Sequence, residues 1–326
     1  MKRSIIGFAI LVAISGFLYI TGLVNSIILS PAAVVPLALA VIALIIGYGF
    51  EWPTARDAKN LPLNISDFQL FIAVIGGALV SYWFNITLGL GAVVGAGLTT
   101  VLGALFFPAF GAPITCGSFC GMASIMVIPG VPYMILASAI AGIVFVLAKE
   151  TMNGLGGKLG AMAASGCTIA ALITGKSMLL APVPDWSSTG KYIVLVTIIS
   201  ALAAYIVSIR FKHGPIMGSG IVSIVGGLIL PVIAPGIGGA LATACACGSY
   251  IGMSSEARIR NELFIIVAGI IAGLGLVWGA PCIGGIGGRL GTTALGSVIA
   301  VWSGILIYER FVSKEGTHGA SGSAKV

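Results

Sequence analysis

Long apolar runs, separated by short polar or glycine- and proline-rich segments, fill most of the sequence. The first run follows residues 1–3 and extends for about twenty residues, enough to cross about 30 Å of hydrocarbon as a helix. It is longer than the core of a signal peptide and no small-residue cleavage site closes it, so we expect a transmembrane helix. A second apolar run covers about residues 33–50, and a polar linker, residues 51–67, follows it. We assign residues 1–60 to an N-terminal helical hairpin and linker.

The remainder of the chain carries one series of five apolar segments twice. The predicted elements are about 68–87, 91–107, 113–128, 131–148 and 156–175 in the first copy, and about 191–209, 215–230, 236–254, 262–280 and 287–308 in the second. We assign residues 66–178 to repeat 1 and residues 190–311 to repeat 2, and we predict that the polar residues 312–326 form a disordered tail. The predicted fold is an all-α polytopic membrane protein with two N-terminal helices, two homologous five-element repeats and about 10–12 transmembrane helices.

A short motif marks the two copies. It is Cys116-Gly117-Ser118-Phe119-Cys120-Gly121 in the first copy and Cys247-Gly248-Ser249-Tyr250-Ile251-Gly252 in the second. The spacing of 131 residues extends to a second motif, in which Lys158 and Arg289 each stand between Gly-Gly and Leu-Gly. Upstream, Tyr82 matches Tyr205 at a spacing of 123 residues, so eight extra residues enter the second copy between Pro231 and Cys247. Two motifs in one register indicate an internal duplication.

The composition places these helices in a membrane. Hydrophobic residues make up 58% of the 326 residues and charged residues 8%, and the mean hydropathy is +1.15, so there is too little charge to cover a water-soluble globule. The net charge is +7, but the basic residues lie at predicted helix ends, where they act as topology signals rather than as a nucleic-acid surface. We therefore predict a multi-pass plasma-membrane protein whose partners include the lipid bilayer and no nucleic acid.

The relation between the two copies depends on whether the segments with the cysteine motif cross the membrane. If they cross, each repeat has five spans and the copies are inverted, whereas segments that only dip in leave four spans and parallel copies. With the N-terminus inside, the inverted topology places 13 of the 16 basic residues inside and the parallel one places 11 there. Because basic residues concentrate on the cytoplasmic side, the count favours inversion. Both topologies place the N- and C-termini in the cytoplasm.

The cysteine motifs are poor sequences for a continuous helix. Relative to alanine, glycine costs about 1 kcal/mol and proline about 3 kcal/mol inside a helix, and Pro113 and Pro129 flank the first motif. We expect a broken or re-entrant segment, which is tolerated at membrane depth where protein buries the backbone or a cavity wets it. One interpretation is a substrate site, and the other is a packing seam of small residues. The predicted substrate-binding residues are Cys116, Gly117, Ser118, Phe119, Gly121, Cys247, Gly248, Ser249, Tyr250, Gly252, Lys158 and Arg289.

Lys158 and Arg289 occupy matched positions near the start of a glycine-rich helix. A cation inside or at the edge of the membrane costs several kcal/mol unless it is paired or wetted. One interpretation is that both side chains extend to the lipid headgroups. The other is that they attract an anion, because the exposed N–H groups at a helix start favour a ligand of the same sign. No carboxylate falls in the middle of a predicted span, so no carboxylate proton relay is predicted.

The cysteines and histidines argue against a cofactor. All six cysteines lie in apolar or glycine-rich segments, so we expect reduced thiols rather than a disulfide framework. Their spacing matches no usual zinc pattern, and His213 and His318 are the only histidines available for haem ligation. We predict no metal and no cofactor. Because no histidine lies in a span to activate a nucleophile, we also predict that the protein is not an enzyme.

Residues 157–168 resemble the glycine-rich, cysteine-ending helices of the YeeE/YedE-type sulfur-compound transporters, which are also duplicated. The resemblance covers that run alone, its glycine-to-cysteine spacing departs from the pattern of the family, and Ser297 stands near the corresponding place in the second repeat. It implies a small anionic substrate, sulfur-containing compounds included, without assigning the chain to the family.

These features predict a transporter or channel for a small anionic solute, with its site between the two repeats. The alternative is a membrane anchor or scaffold subunit of a larger complex, in which glycine-rich surfaces receive partner helices. The expected partner besides lipid is a small-molecule or ion substrate. The sequence leaves the substrate, the coupling ion and the formation of a homo-oligomer open.

Overall fold

A computed structural model describes residues 2–59 and 62–321, with side chains described as far as residue 311. These residues contain twelve α-helices and no β-strand, which confirms the all-α class. The helices are α1 (Arg3–Leu29), α2 (Pro31–Asp57), α3 (Ile65–Tyr82), α4 (Ala92–Phe106), α5 (Gly111–Cys120), α6 (Val131–Ala148), α7 (Lys158–Ile173), α8 (Lys191–Tyr205), α9 (Pro215–Ile233), α10 (Gly238–Ile251), α11 (Glu262–Trp278) and α12 (Arg289–Ser321).

Seven helices within the described residues are long and apolar enough to cross a membrane. Three further apolar helices, α4, α7 and α11, have between 10 and 17 residues. Many large apolar side chains on the outside of the bundle are exposed, such as Ile28 at 72% and Val35 at 65%. Apolar exposure on this scale is unfavourable in water and neutral in lipid. The chain is therefore a membrane-embedded helical protein.

The N-terminal helices start and stop where the backbone chemistry allows. Pro31 begins α2, because its missing N–H would be unpaired at the first helical position and its φ suits the helix. The helix α2 continues to Asp57, so its last turns occupy residues that the sequence analysis assigned to a polar linker. Asn64 and Asp67 then form a reciprocal capping box that starts α3.

Polar contacts gather several helix termini at one end of the bundle, which we call the N-terminal end. These contacts join Ser4 Oγ to Ala55 O at 2.7 Å, Lys149 Nζ to Asp67 Oδ1 at 2.6 Å, Arg258 Nη1 to Glu51 Oε2 at 3.0 Å and Arg210 Nη2 to Glu262 Oε1 at 2.7 Å. They bring together the starts of α1, α3 and α11 and the ends of α2, α6 and the α8 segment, by which we mean Trp186–Arg210, that is α8 with the helical turns on either side of it.

A second set of contacts defines the opposite end of the bundle, which we call the distal end. These contacts join Asn25 Nδ2 to Trp278 O at 2.9 Å, Leu179 N to Gly284 O at 2.9 Å, Ser124 N to Gly285 O at 2.9 Å, and the rings of Trp186 and Trp278 at 5.4 Å between centroids. They bring together the ends of α1 and α11, the start of the α8 segment and the loops that precede α6 and α12.

The eight extra residues of the second copy fall into two neighbouring helices. Helix α9 has 19 residues where α4 has 15, and α10 has 14 where α5 has 10, so each helix gains about one turn. The connections on either side keep the same backbone conformation. Gly91 before α4 has φ 82° and ψ 159°, and Gly214 before α9 has φ 82° and ψ 161°. Between the two helices, Phe107 has φ −134° and ψ 60° and Ala234 has φ −129° and ψ 65°, so the connection keeps its conformation although both helices are longer.

The cysteine motifs are more regular than the sequence suggests. Helix α5 includes Cys116 to Cys120, and α10 continues to Ile251, so both motifs are helical and the chain leaves the helix just after them. Tyr82 Oη donates to Ile128 O at 3.0 Å, and Tyr205 Oη donates to Ile259 O at 3.0 Å, which fixes the irregular segments that follow.

The C-terminal helix extends further than the sequence analysis predicts. Helix α12 continues to Ser321, whereas the disordered tail is predicted to begin at residue 312. Residues 322–326 lie outside the described residues, so the last part of that prediction falls beyond the structure.

Candidate functional site

The glycines of the two cysteine motifs make backbone contacts with neighbouring helices. A Cβ added at Gly117 would overlap Val74 O in α3, and one added at Gly248 would overlap Thr197 O in α8. One turn later, a Cβ on Gly121 would lie 2.6 Å from the N atom of Tyr82. Gly252 has the same contact with Tyr205 N, also at 2.6 Å. These four glycines therefore pack closely against neighbouring helices, as expected if the motif is a packing seam of small residues.

The serines of the motifs belong to buried hydroxyl clusters. Ser118 Oγ donates to the carbonyl of Thr115 at 2.9 Å and lies 3.0 Å from Thr100 Oγ1 on α4. Ser118 is fully buried. A hydroxyl both donates and accepts, so the Thr100–Ser118 pair satisfies itself without water.

The second cluster is larger and lies on α9 and α10. Ser249 Oγ is 3.1 Å from Ser219 Oγ and 2.9 Å from Ser223 Oγ, and it donates to the carbonyl of Ala246 at 2.8 Å. Ser223 stands in the sequence position that matches Thr100, while Ser219 matches Ala96. The second copy therefore holds one hydroxyl more than the first.

The aromatic residues of the two motifs meet. The ring centroids of Phe119 and Tyr250 are 4.3 Å apart, and both side chains are buried. Tyr250 Oη donates to Met122 Sδ at 3.4 Å. The two rings are inclined by 42° to each other, and aromatic pairs contribute about 0.5–1.5 kcal/mol beyond the area that they bury. The ring pair joins α5 to α10 and fills the space between them.

Two helix crossings accompany the aromatic pair, and matched glycines form both. A Cβ on Gly97 of α4 would lie 3.1 Å from Gly220 O of α9, and a Cβ on Gly220 would lie 3.3 Å from Gly97 O. A Cβ on Gly160 of α7 would lie 2.5 Å from Gly291 Cα, and one on Gly291 would lie 2.6 Å from Gly160 Cα. Only glycine allows helices to approach this closely.

The six cysteines lie in the interior of the bundle. All six cysteines are free and buried. Cys116 is fully buried, and Cys247 Sγ donates to Leu290 O at 3.3 Å. Over the described ranges, no group of three or more His, Cys, Asp or Glu side chains is arranged to hold a metal ion.

Lys158 is held inside the protein. Its Nζ donates to Asn153 Oδ1 at 2.6 Å and to Lys149 O at 3.1 Å, and the residue is 9% exposed. The side chain therefore does not extend freely to headgroups. It also lines a cavity of about 290 Å³ at the N-terminal end.

Arg289 has different surroundings from Lys158. Its Nη2 donates to Gly279 O at 2.9 Å, and its Nε is buried without a hydrogen-bond partner in the described part of the chain. An unpaired buried donor costs about 1–3 kcal/mol, and more when it is charged. Lys158 and Arg289 thus occupy equivalent positions in the two motifs but have different hydrogen-bond partners.

A buried ion pair beside Lys158 was missed by the sequence analysis. Glu51 is 1% exposed, its Oε1 accepts from Met152 N at 2.7 Å, and its Oε2 lies 3.0 Å from Arg258 Nη1. Arg258 Nε donates in turn to the carbonyl of Asn153 at 2.9 Å. The sequence analysis placed Glu51 at the start of a polar linker, where burial is not expected. Helix α2 is apolar on nearly all sides before Glu51, so the sequence holds no pattern that singles out its buried face, and the seven-residue spacing of Leu37, Leu44 and Glu51 appears only in the structure.

In comparisons with known proteins, no family model matches the chain, and neither the curated proteins nor the solved structures give a match. The resemblance of residues 157–168 to the YeeE/YedE-type transporters therefore stands on that run alone.

Proposed function

We propose that the protein is a membrane transporter or channel for a small anionic solute, with its site between two homologous repeats. The observation that carries this proposal is the contact between Phe119 and Tyr250, matched residues of the two motifs, flanked by buried hydroxyls at Ser118 and Ser249. Two aromatic rings in contact between hydroxyl clusters would close a solute path, and their separation would open it. The hydroxyls supply donors and acceptors to a small ligand without bulk.

We propose that the two repeats are inverted. Three pairs of matched residues touch their own counterparts, namely Gly97 with Gly220, Phe119 with Tyr250, and Gly160 with Gly291. Matched residues meet in this way only next to a two-fold axis. Helix α3 begins at the N-terminal end and the α8 segment begins at the distal end, so the axis reverses the direction of the helices, as in inverted-repeat transporters.

We also propose that α4 with α5, and α9 with α10, form re-entrant hairpins. Gly95 of α4 packs on the last turns of α3, and the residues after α5 return to Tyr82 of the same helix. The hairpin thus begins and ends at one level, and α6 runs back along α3 to the ion pair between Lys149 and Asp67. The number of crossings in each copy is then odd, which requires inversion. A parallel arrangement does not fit this path.

The proposed anion preference rests on Lys158 and Arg289. Each begins a helix next to a glycine, so a fixed positive charge and the positive end of a helix coincide. Basic residues cluster at the N-terminal end, including Arg3, Arg56 and Arg258, which favours a cytoplasmic position for that end and for both termini in a plasma membrane.

Anion flux into liposomes tests the proposal. The wild-type protein is compared with a Lys158→Gln/Arg289→Gln variant and with a Lys176→Gln/Lys191→Gln control that loses the same charge from the distal end. We expect flux through the wild type and the control, and a lower anion flux or a shift toward neutral solutes in the first variant. Equal flux and selectivity in all three proteins at matched incorporation would refute the anion preference. An absence of flux above that of empty liposomes would refute transport itself.

The second candidate is a scaffold subunit, and the dry glycine seams at Gly117 and Gly248 favour it. This interpretation predicts a stoichiometric partner in mild detergent and no flux by the isolated chain. The liposome experiment separates the two functions.

A further inference from the structure

A cavity of about 290 Å³ opens at the N-terminal end of the bundle. It lies between the loop that precedes α7, the end of the α8 segment, the start of α9 and the residues that follow α10. The residues that line it include Gly156, Gly157, Lys158, Ser208, Ser254 and Ser255. No carboxylate lines this cavity. The volume is at the lower end of the roughly 300–1,000 Å³ typical of small-molecule sites, so it suits a ligand of few atoms.

Ser208 lines this cavity and carries an unpaired hydroxyl. The residue is 3% exposed, and its Oγ is buried with no hydrogen-bond partner among residues 2–59 and 62–321. Other buried serines donate to a carbonyl of their own helix, as Ser138 does to Met134 at 2.7 Å and Ser165 does to Ala161 at 2.8 Å. An unsatisfied buried hydroxyl costs about 1–3 kcal/mol. A ligand that accepts a hydrogen bond in the cavity would remove that cost.

The start of α7 adds further donors on the same cavity. Gly157 caps this 16-residue helix with φ 85° and offers no side chain to its first N–H groups. The N–H groups of Lys158 and Leu159 have no acceptor in the described part of the chain. Lys158 Nζ uses two donors on Asn153 Oδ1 and Lys149 O, which leaves one N–H. The cavity therefore combines a cation, a helix start and a free hydroxyl, all of which favour an anion with several acceptor oxygens.

We propose that this cavity binds a small inorganic oxyanion, held by Ser208, by Lys158 and by the first N–H groups of α7. This site rests on the proposed function in one respect, since it would bind the transported anion at the N-terminal end. Ser208 acts as a neutral donor that a planar or tetrahedral oxyanion engages with a second oxygen. A halide offers a single centre, so we expect it to bind this set of donors less well than an oxyanion.

Equilibrium binding of radiolabelled inorganic sulfate and phosphate to the full chain in detergent tests the site. The variants are Ser208→Ala, which removes the hydroxyl and little volume, and Lys158→Gln, with Lys191→Gln as a control for net charge. We expect Ser208→Ala to weaken binding about tenfold, the effect of one hydrogen bond to a charged ligand. Lys158→Gln should weaken it further, and Lys191→Gln should change it less than about twofold.

Several results would overturn the site. Binding that is unchanged in Ser208→Ala, that falls equally in Lys191→Gln, or that chloride displaces as well as sulfate does, each excludes it. If Lys158→Gln fails to fold, the comparison of Ser208→Ala with the wild type decides alone. Binding that depends on Ser208, without flux in liposomes, would support the binding site and refute the transport proposal. Flux without such binding would refute the site and support transport.

Discussion

Removing the charge of Glu51 should destabilise the protein strongly. Glu51→Gln keeps an amide oxygen for Met152 N but leaves Arg258 without its counter-charge. Breaking a buried ion pair from one side costs about 3–5 kcal/mol. The Arg258 side chain is 18% exposed, so water screens part of the loss and we expect the lower end of that range.

The carboxylate also fixes an unfavourable backbone. Met152 is fully buried and has φ 54°, a conformation that non-glycine residues rarely adopt. Its N–H donates to Glu51 Oε1 at 2.7 Å, so the glutamate stabilises the left-handed residue that turns the chain toward α7. Glu51→Ala loses this hydrogen bond as well as the ion pair. We therefore expect it to be less stable than Glu51→Gln.

Thermal denaturation in detergent, followed by the loss of monodisperse protein, measures these effects. A loss of about 3 kcal/mol corresponds to a fall in melting temperature of roughly 4–5 °C for a chain of this size. Asp57→Asn is the matched control, because Asp57 pairs with Arg56 on the exposed surface and its loss should change nothing measurable. Glu51→Gln/Arg258→Met should recover much of the stability that Glu51→Gln loses, since it keeps an acceptor for Met152 N and removes the unpaired charge. A Glu51→Gln protein that melts with the Asp57→Asn control would refute the reasoning.

Two further predictions concern packing and the irregular segments. Gly291→Ala should destabilise the α7–α12 crossing severely, because the new Cβ would lie 2.6 Å from Gly160 Cα, whereas Gly304→Ala, where no atom lies within 4 Å, should be tolerated; equal melting temperatures would contradict the crossing. Tyr205→Phe removes the hydrogen bond to Ile259 O and should cost about 1–3 kcal/mol because it leaves that carbonyl buried and unpaired. Hydrogen exchange at residues 253–261 should rise in this variant, and unchanged exchange would show that the tyrosine does not hold the segment.

Apolar runs alone predicted the helices that face lipid, since a membrane requires each to satisfy its own backbone. Their ends were harder to predict. Helix α2 passes Glu51 and Pro53 because a proline near the end of a helix loses few hydrogen bonds and because Arg258, 207 residues away, neutralises the carboxylate. No local pattern reports a partner at that distance.

The contacts between the candidate site residues could not be predicted from the sequence. Matched motifs identify Phe119 and Tyr250 as equivalent, but a sequence spacing gives no distance, so their contact required the structure. The cavity at Ser208 was missed for another reason. Its counterpart in the first copy is Asn85, whose amide donates to Gly121 O at 3.0 Å, so matching the copies hides the unpaired hydroxyl.

The two matched motifs each carry a cation, and the N-terminal helices make the surroundings of these cations unequal. Asn153 accepts from both Lys158 and Arg258, so the ion pair of Arg258 with Glu51 stands next to Lys158. No described carboxylate forms an ion pair with Arg289, and its partner is a carbonyl. Helix α2, which supplies Glu51, has no counterpart later in the chain. If the copies are inverted, the positive potential is therefore stronger at the distal approach than at the N-terminal one, and anion flux should differ in the two directions rather than mirror the symmetry of the repeats.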